Sequence, residues 1–319
     1  MGVRKERAWS LERSSYLTGT PSDSYDIDRI YYDTSSYYSA SSVSVSISGL
    51  LGRKKSSSRP FKDHYADWRS VHAHFEAHFD ALDLAASSVS VSISGLLGRK
   101  KSSSLPYDLL DSSVRSVHAH FEAHFDALDL AARHDPCQLL HPGPSLRSPL
   151  ESPFLFLGGI HPGLLTALLR SFLLHPRRGP PRPFPFDLAW ADPPRGRLLA
   201  RLDQIERGLR LLVPTLLSRV REAQAAFVES AAAEWAAGAD AEGEGDGAVA
   251  ALVEELGAAI ADANRLRRSV LGEMVAAMDV CQGALFLEAL SQFVVGLRDP
   301  DVLRDFEQTK IMPPSPPPS

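Results

Sequence analysis

The chain is poor in cysteine, in long apolar runs and in net charge, and each shortage removes a class of function. Of its 319 residues only Cys137 and Cys281 are cysteines. They lie far apart with no CxxC or Cys/His spacing around either, so neither a disulfide framework nor a zinc module is signalled. Two reduced, buried thiols are the expectation. No uninterrupted apolar run reaches the roughly 18 residues that cross a bilayer, so no transmembrane segment is expected. A formal net charge of −5 leaves no overall footprint for nucleic acid, and no direct DNA binding is expected. The opening MGVRKERAWSLERSS has no apolar signal segment, and Glu6 stands where a myristoylation signal requires Ser or Thr, which places the chain inside the cell. A GxSxG elbow, a phosphate-cradling glycine loop with its Lys and a GxGxxG after a strand are all missing, so no enzyme and no cofactor is expected.

What is present is a globular balance, 44% hydrophobic and 23% charged, and a repeat. SSVSVSISGLLGRKKSSS occurs at Ser41 to Ser58 and again at Ser87 to Ser104, and RSVHAHFEAHFDALDLAA at Arg69 to Ala86 and again at Arg115 to Ala132. Between the identical blocks stand RPFKDHYADW in the first copy and LPYDLLDSSV in the second. Selection on structure preserves pattern rather than every interchangeable serine, so the identity points to recent duplication or to the gene assignment, and two copies are too few for a solenoid.

Residues 1–58, rich in Ser and Tyr without sustained periodicity, read as a disordered region. Helical signals begin near Pro60. In the second copy Val117, Phe121, Phe125, Leu128 and Ala132 recur at three- and four-residue steps, the signature of an amphipathic helix. HDPCQLLHPGPS punctuates its end. Ser152 with Pro153 reads as a helix start, and Gly158, Gly159 and Pro162 force a break before an apolar helix from Gly163 to Leu174. The proline-dense HPRRGPPRPFPFDLAWADPPRG is a loop pinned by aromatics. A long helix from Pro194 to Ala237 carries Leu198, Leu202, Ile205, Leu209, Leu212, Leu216 and Val220 on one stripe, with Pro214 inside it. Gly238 to Gly247 reads as a flexible acidic linker. A second long helix, Ala248 to Leu297, completes an antiparallel hairpin, and MPPSPPPS forms a polyproline tail. The fold class is therefore all-α: a helical bundle with a long antiparallel helix hairpin, a disordered N-terminal region and a Pro-rich C-terminal tail at 310–319.

Two sets of side chains invite a chemical reading. His120 and His124, one helical turn apart in HAHFEAH, have the spacing of metal or haem ligands. No third ligand is identifiable, Glu122 lies off their face, and His124 falls within the apolar stripe, where partly buried histidine is common. The runs GRKK, at Gly52 to Lys55 and Gly98 to Lys101, suit a nuclear address, an anionic-lipid contact or a phosphorylated linker, and three cations in a row are equally what a solvated linker carries. The middle of the chain, from Arg170 to Arg201, is locally basic, and Asp240, Glu242, Glu244 and Asp246 are locally acidic.

Three segments taken together resemble one family. RPFKDHYADW is similar to its opening helix, with Phe61, Tyr65 and Trp68 as the aromatic positions. ESPFLFLGGIHPGLLTALLRSF resembles its aromatic segment and GG-x-x-P break, at Phe154, Gly158, Gly159 and Pro162. ADANRLRRSVLGEMVAAMDVCQGALFLEALSQFVVGLR resembles its C-terminal signature, at Asp262, Leu266, Arg267, Gln282, Phe286, Phe293 and Arg298. This is the helical domain of the delay-of-germination seed-dormancy proteins, shared with TGA-type bZIP factors, and the combination looks most like its inaperturate-pollen branch. Gly283 replaces the usual alanine, and the basic region and zipper of the TGA factors are missing.

The resemblance implies a domain over 59–309, in which 69–104 is a surplus duplicated insert while Arg115 to Ala132 packs in the bundle. It implies a non-enzymatic scaffold needed to form pollen apertures, cytoplasmic and recruited by protein partners to plasma-membrane domains that exclude exine. The alternative is a nuclear dormancy-type transcriptional coregulator, binding haem through His120 and His124, with nuclear entry dependent on Lys100 and Lys101.

Overall fold

The computed structural model describes residues 61, 63–71, 105–142, 147–174, 189–190, 194–237 and 245–311. The Ser/Tyr-rich region 1–58, the first copy of the repeat from His72 onward, the linker residues 238–244 and the tail from residue 312 lie outside them.

The described residues are almost wholly helical, as the sequence pattern requires. A helix at 61–71 (α1) is followed by α2 (Leu105–His134), the short α3 (Pro136–Leu140), a 3-10 turn (Ser152–Phe154), strands β1 (Leu155–Phe156) and β2 (Gly159–Ile160), α4 (Pro162–Leu174), α5 (Pro194–Ala237), α6 (Gly245–Ala277), α7 (Val280–Gly296) and α8 (Pro300–Ile311). The second copy of the repeat supplies α2, and Val117, Phe121, Phe125, Leu128 and Ala132 are all buried, facing α6 and α7. Burying each of those large side chains is worth about 1.5–3 kcal/mol, so this face fixes the helix in the bundle.

Helices α5 and α6 form the antiparallel hairpin. Arg219 of α5 pairs with Glu255 and Asp262 of α6, while Arg201, earlier in α5, reaches Glu273, later in α6. Residue numbers rising along one helix and falling along the other define the direction. Pro214 sits within a continuous α5, where it has no N–H to offer the Arg210 carbonyl. Cys137 and Cys281 are buried and form no disulfide, and Trp190 stacks on Phe172 at 5.1 Å between ring centroids; residues 175–188 and 191–193 of the proline-dense stretch lie outside the described residues.

Several expectations need correction. The expected single helix from Ala248 to Leu297 is two helices, because Asp279 caps α7: its carboxylate accepts from the Gln282 N–H at 2.8 Å, and the Gln282 side chain accepts from the Asp279 N–H at 3.0 Å. That reciprocal capping box starts a helix afresh wherever it forms. Ser152 and Pro153 begin only a 3-10 turn, which gives way to a two-residue antiparallel hairpin pairing Leu155 with Ile160 and Phe156 with Gly159. Its turn residues Leu157 and Gly158 have φ of 42° and 80°, the left-handed pair that a tight hairpin turn demands. In the stretch read as punctuation Asp135 caps α3, accepting from the Gln138 N–H at 3.1 Å. The acidic linker is shorter than expected, since α6 already begins at Gly245, and the helical region runs to Ile311, past the expected start of the tail. Leu212 lies at the edge of its stripe and is half exposed.

Candidate functional site

Helix α1 presents Phe61, Tyr65 and Trp68 at steps of four and three, so the three rings share one face, and all are buried. They meet the histidines of α2. Trp68 stacks on His124 with centroids 3.8 Å apart and 18° between planes, and on His120 at 5.6 Å. The Trp68 indole donates to the His120 carbonyl at 3.2 Å, and His120 Nε2 lies 3.0 Å from the Trp68 carbonyl. His64, a residue that periodicity alone did not mark, also stacks on His124, at 5.9 Å. Burial lowers the His120 pKa, the hydrogen bond to the Trp68 carbonyl opposes that shift, and the nearby His64 adds to it.

Tyr65 turns its hydroxyl into a buried ionic cluster. It donates to Glu151 at 2.9 Å and accepts from Arg147 at 3.0 Å, and the Arg147 guanidinium also lies over its ring at 4.4 Å. Glu151 holds Arg147 at 3.2 Å and Arg298 at 2.5 Å, and accepts from the Ser148 N–H at 3.3 Å. The second Arg147 amine donates to the Gly158 carbonyl at 2.8 Å. Burial pushes the Glu151 carboxyl up, but Arg147, Arg298 and the Tyr65 hydroxyl outweigh it, and the net pKa is lowered. Burial raises Tyr65 to about 12, with Arg147 pulling the other way and Glu151 adding to the rise.

Arg267 of α6 is 1% exposed and clasps the β1–β2 hairpin. Its Nε donates to the Ile160 carbonyl at 2.8 Å, one amine donates to the Phe156 and Leu157 carbonyls, and the other donates to Asn264 at 2.8 Å. Asn264 in turn donates to the Phe125 carbonyl and to Asp129 on α2. Positions from three separate sequence segments therefore converge on one node, where α1, α2, the hairpin, α6 and the end of α7 are locked together. A small cavity of about 30 Å³ lies at its centre between Trp68, His124, Arg147 and Arg267.

The remaining motif positions sit around this node in structural roles. Phe154 packs edge-on against Phe293 at 5.3 Å, Phe286 is fully buried, and Pro162 opens α4. The Gln282 amide donates to the Ala189 carbonyl at 2.6 Å, holding the residue before Trp190. Asp262 pairs with Arg219 and Arg265, and Leu266 is half-buried. Arg147 and Glu151, at the centre of the cluster, went unremarked in the sequence. Their one available sign was an arginine and a glutamate four residues apart on either side of Ser148 and Pro149, a pattern common on solvated surfaces.

The geometry does not suit haem. His120 and His124 have their rings stacked on Trp68, and the adjoining 30 Å³ holds a water molecule or two rather than a macrocycle. Among the described residues no group of three His, Cys, Asp or Glu side chains is placed to hold a metal ion. No single described helix is long and apolar enough to cross a membrane; α7, the most apolar, is largely buried in the core.

Residues 96–171 match the family model for seed dormancy control, and that span covers α2, α3 and the hairpin. The chain is 43% identical over 182 residues to the inaperturate pollen 1 homolog of Oryza sativa subsp. japonica, an alignment covering 57% of this chain and 65% of the rice protein. It is 40% identical over 189 residues to inaperturate pollen1 of Arabidopsis thaliana, covering 51% of this chain and 69% of the Arabidopsis protein. The chain belongs to the inaperturate-pollen family. The seed-dormancy match takes in nearly all of one of the three segments that suggested that group, the one that spans the hairpin. The chain spans about two thirds of the length of the relatives it matches.

Proposed function

We propose that this chain acts in the formation of pollen apertures, as a non-enzymatic helical scaffold that protein partners recruit to domains of the plasma membrane from which exine is excluded. The observation that carries this reading is the 40–43% identity to two proteins named for inaperturate pollen, in a rice and in Arabidopsis. The geometry is compatible with it. The ionisable side chains that the sequence motifs mark are engaged in holding helices to one another, so binding surfaces rather than a reaction centre are what the domain offers a partner. No direct contact with DNA belongs to this reading.

The test is complementation. The full chain, fused to a fluorescent protein, is expressed from the native promoter in Arabidopsis and rice plants lacking their own inaperturate-pollen protein. Restored apertures with fluorescence in cortical patches support the proposal. Uniformly inaperturate pollen in both hosts, despite protein at normal abundance, overturns it. Nuclear accumulation that is lost with Lys100→Ala and Lys101→Ala favours the dormancy-type coregulator instead.

A further inference from the structure

Residues 222–264 contain ten carboxylates and not one Lys, Arg or His. This stretch comprises the last four turns of α5, the connection, and the first half of α6; Glu255 and Asp262 within it pair with Arg219, and the other eight carboxylates make the distal end of the helix hairpin acidic. It is also thinly supported. Among the residues whose side chains are described, none between Val220 and Leu252 is buried. About 25 Å of α5, at 1.5 Å per residue, thus extends beyond its last buried side chain. Alanine at eight of the fifteen positions 223–237 accounts for its being helical at all, since alanine has the highest intrinsic helix propensity.

One face of this arm is apolar and uncovered. Ala225, Val228, Ala232 and Trp235 follow at steps of three, four and three, which confines them to a sector of about 80°. All four are exposed, Trp235 at 88%. Glu222 and Glu229 run along one edge of this stripe, and Arg221 closes its N-terminal end. A tryptophan presented to water on a helix is the kind of anchor that dominates protein interfaces. The carboxylates around it decide the sign of what it meets: anionic bilayers and nucleic acids are repelled, and so is the same face of a second copy.

We propose that the outer face of this arm is the docking site for a basic amphipathic helix of a partner protein, its apolar side on Val228 and Trp235 and its cations beside Glu222 and Glu229. This goes beyond the role in apertures and holds whether or not that role is correct.

The probe is a synthetic amphipathic helix with leucine on one face and lysine on the other, labelled for fluorescence anisotropy and titrated with the full chain. Its analogue with glutamate for lysine is the control. We expect the lysine peptide to bind and the glutamate peptide not to. Binding should weaken as salt is raised. Trp235→Ala and the pair Glu222→Lys with Glu229→Lys should each weaken it about tenfold or more, and Val228→Ser less. Glu307→Lys on α8 should leave it unchanged. Circular dichroism of each variant establishes that α5 is intact. Equal binding by Trp235→Ala, or by the glutamate peptide, overturns the proposal. So does capture of the chain by anionic vesicles, or self-association that Trp235→Ala abolishes, since either assigns the face another occupant.

Discussion

A Cβ atom on Gly159 would stand 2.8 Å from the Cζ of Arg267, too close for any side chain, so glycine at 159 is what lets the guanidinium lie flat against the hairpin. Gly159→Ala should therefore destabilise the domain by about 1–3 kcal/mol, the cost of forcing a methyl into a packed site. Arg267→Lys keeps the charge but loses the fork that serves three carbonyls, and should cost about 2–4 kcal/mol. Urea unfolding followed by circular dichroism measures both. A stability unchanged in Arg267→Lys would mean that the clasp is not what holds α6 to the hairpin.

The Tyr65–Glu151 cluster predicts how stability depends on pH at both ends. The folded-state pKa of Glu151 is depressed, so its contribution is complete above the unfolded carboxyl value of about 4.3 and is lost as the pH falls through the lower folded value. Tyr65 is raised to about 12, so its contribution is complete below the unfolded value of about 10 and is lost as the pH rises through about 12. Glu151→Gln should be less stable than the parent at neutral pH and should flatten the acid limb of a plot of stability against pH. Tyr65→Phe should flatten the alkaline limb. An acid limb of unchanged slope in Glu151→Gln would assign acid unfolding to other carboxylates.

What was legible in the sequence was periodic. Val117 to Ala132 on α2 and Leu198 to Val220 on α5 show their buried faces in spacing alone, and the bundle follows from them. What was not legible depended on partners distant in sequence. Glu151 is ordinary until Tyr65 and Arg298 are brought to it from either side of the chain. Asp279 looks like one more polar residue of a long helix until the Gln282 amide completes its cap, and no change in the apolar pattern marks that break. The hairpin at Leu155 to Ile160 is too short for strand periodicity to register. Its glycines told of a turn, but their fit against Arg267 needed the fold.

Gly283 offers a stabilising change. It lies in the interior of α7, and a Cβ placed there would meet Val114 at 3.5 Å, an ordinary van der Waals contact. Glycine inside a helix costs about 0.5–1 kcal/mol relative to alanine, with nothing here that only glycine can satisfy. Gly283→Ala should raise stability by about that amount and shift the unfolding midpoint upward. A decrease would show that Val114 has no room to spare.

The repeat supplies the last prediction, because identical side chains stand in two places. Phe121 is buried in α2 between Trp68 and the core, with its ring 5.7 Å from that of Trp68. Phe75 holds the matching place in the first copy, outside the described residues. If Arg115 to Ala132 is the segment that builds the bundle, Phe121→Ala should cost about 3–5 kcal/mol, the loss of a buried aromatic with the cavity it leaves. Phe75→Ala, in the copy that the bundle does not need, should cost less than about 1 kcal/mol. The two variants differ from the parent by the same atoms, so their difference in urea midpoint measures context alone. Equal losses would mean that both copies are packed, and the view of residues 69–104 as a surplus insert would have to be given up.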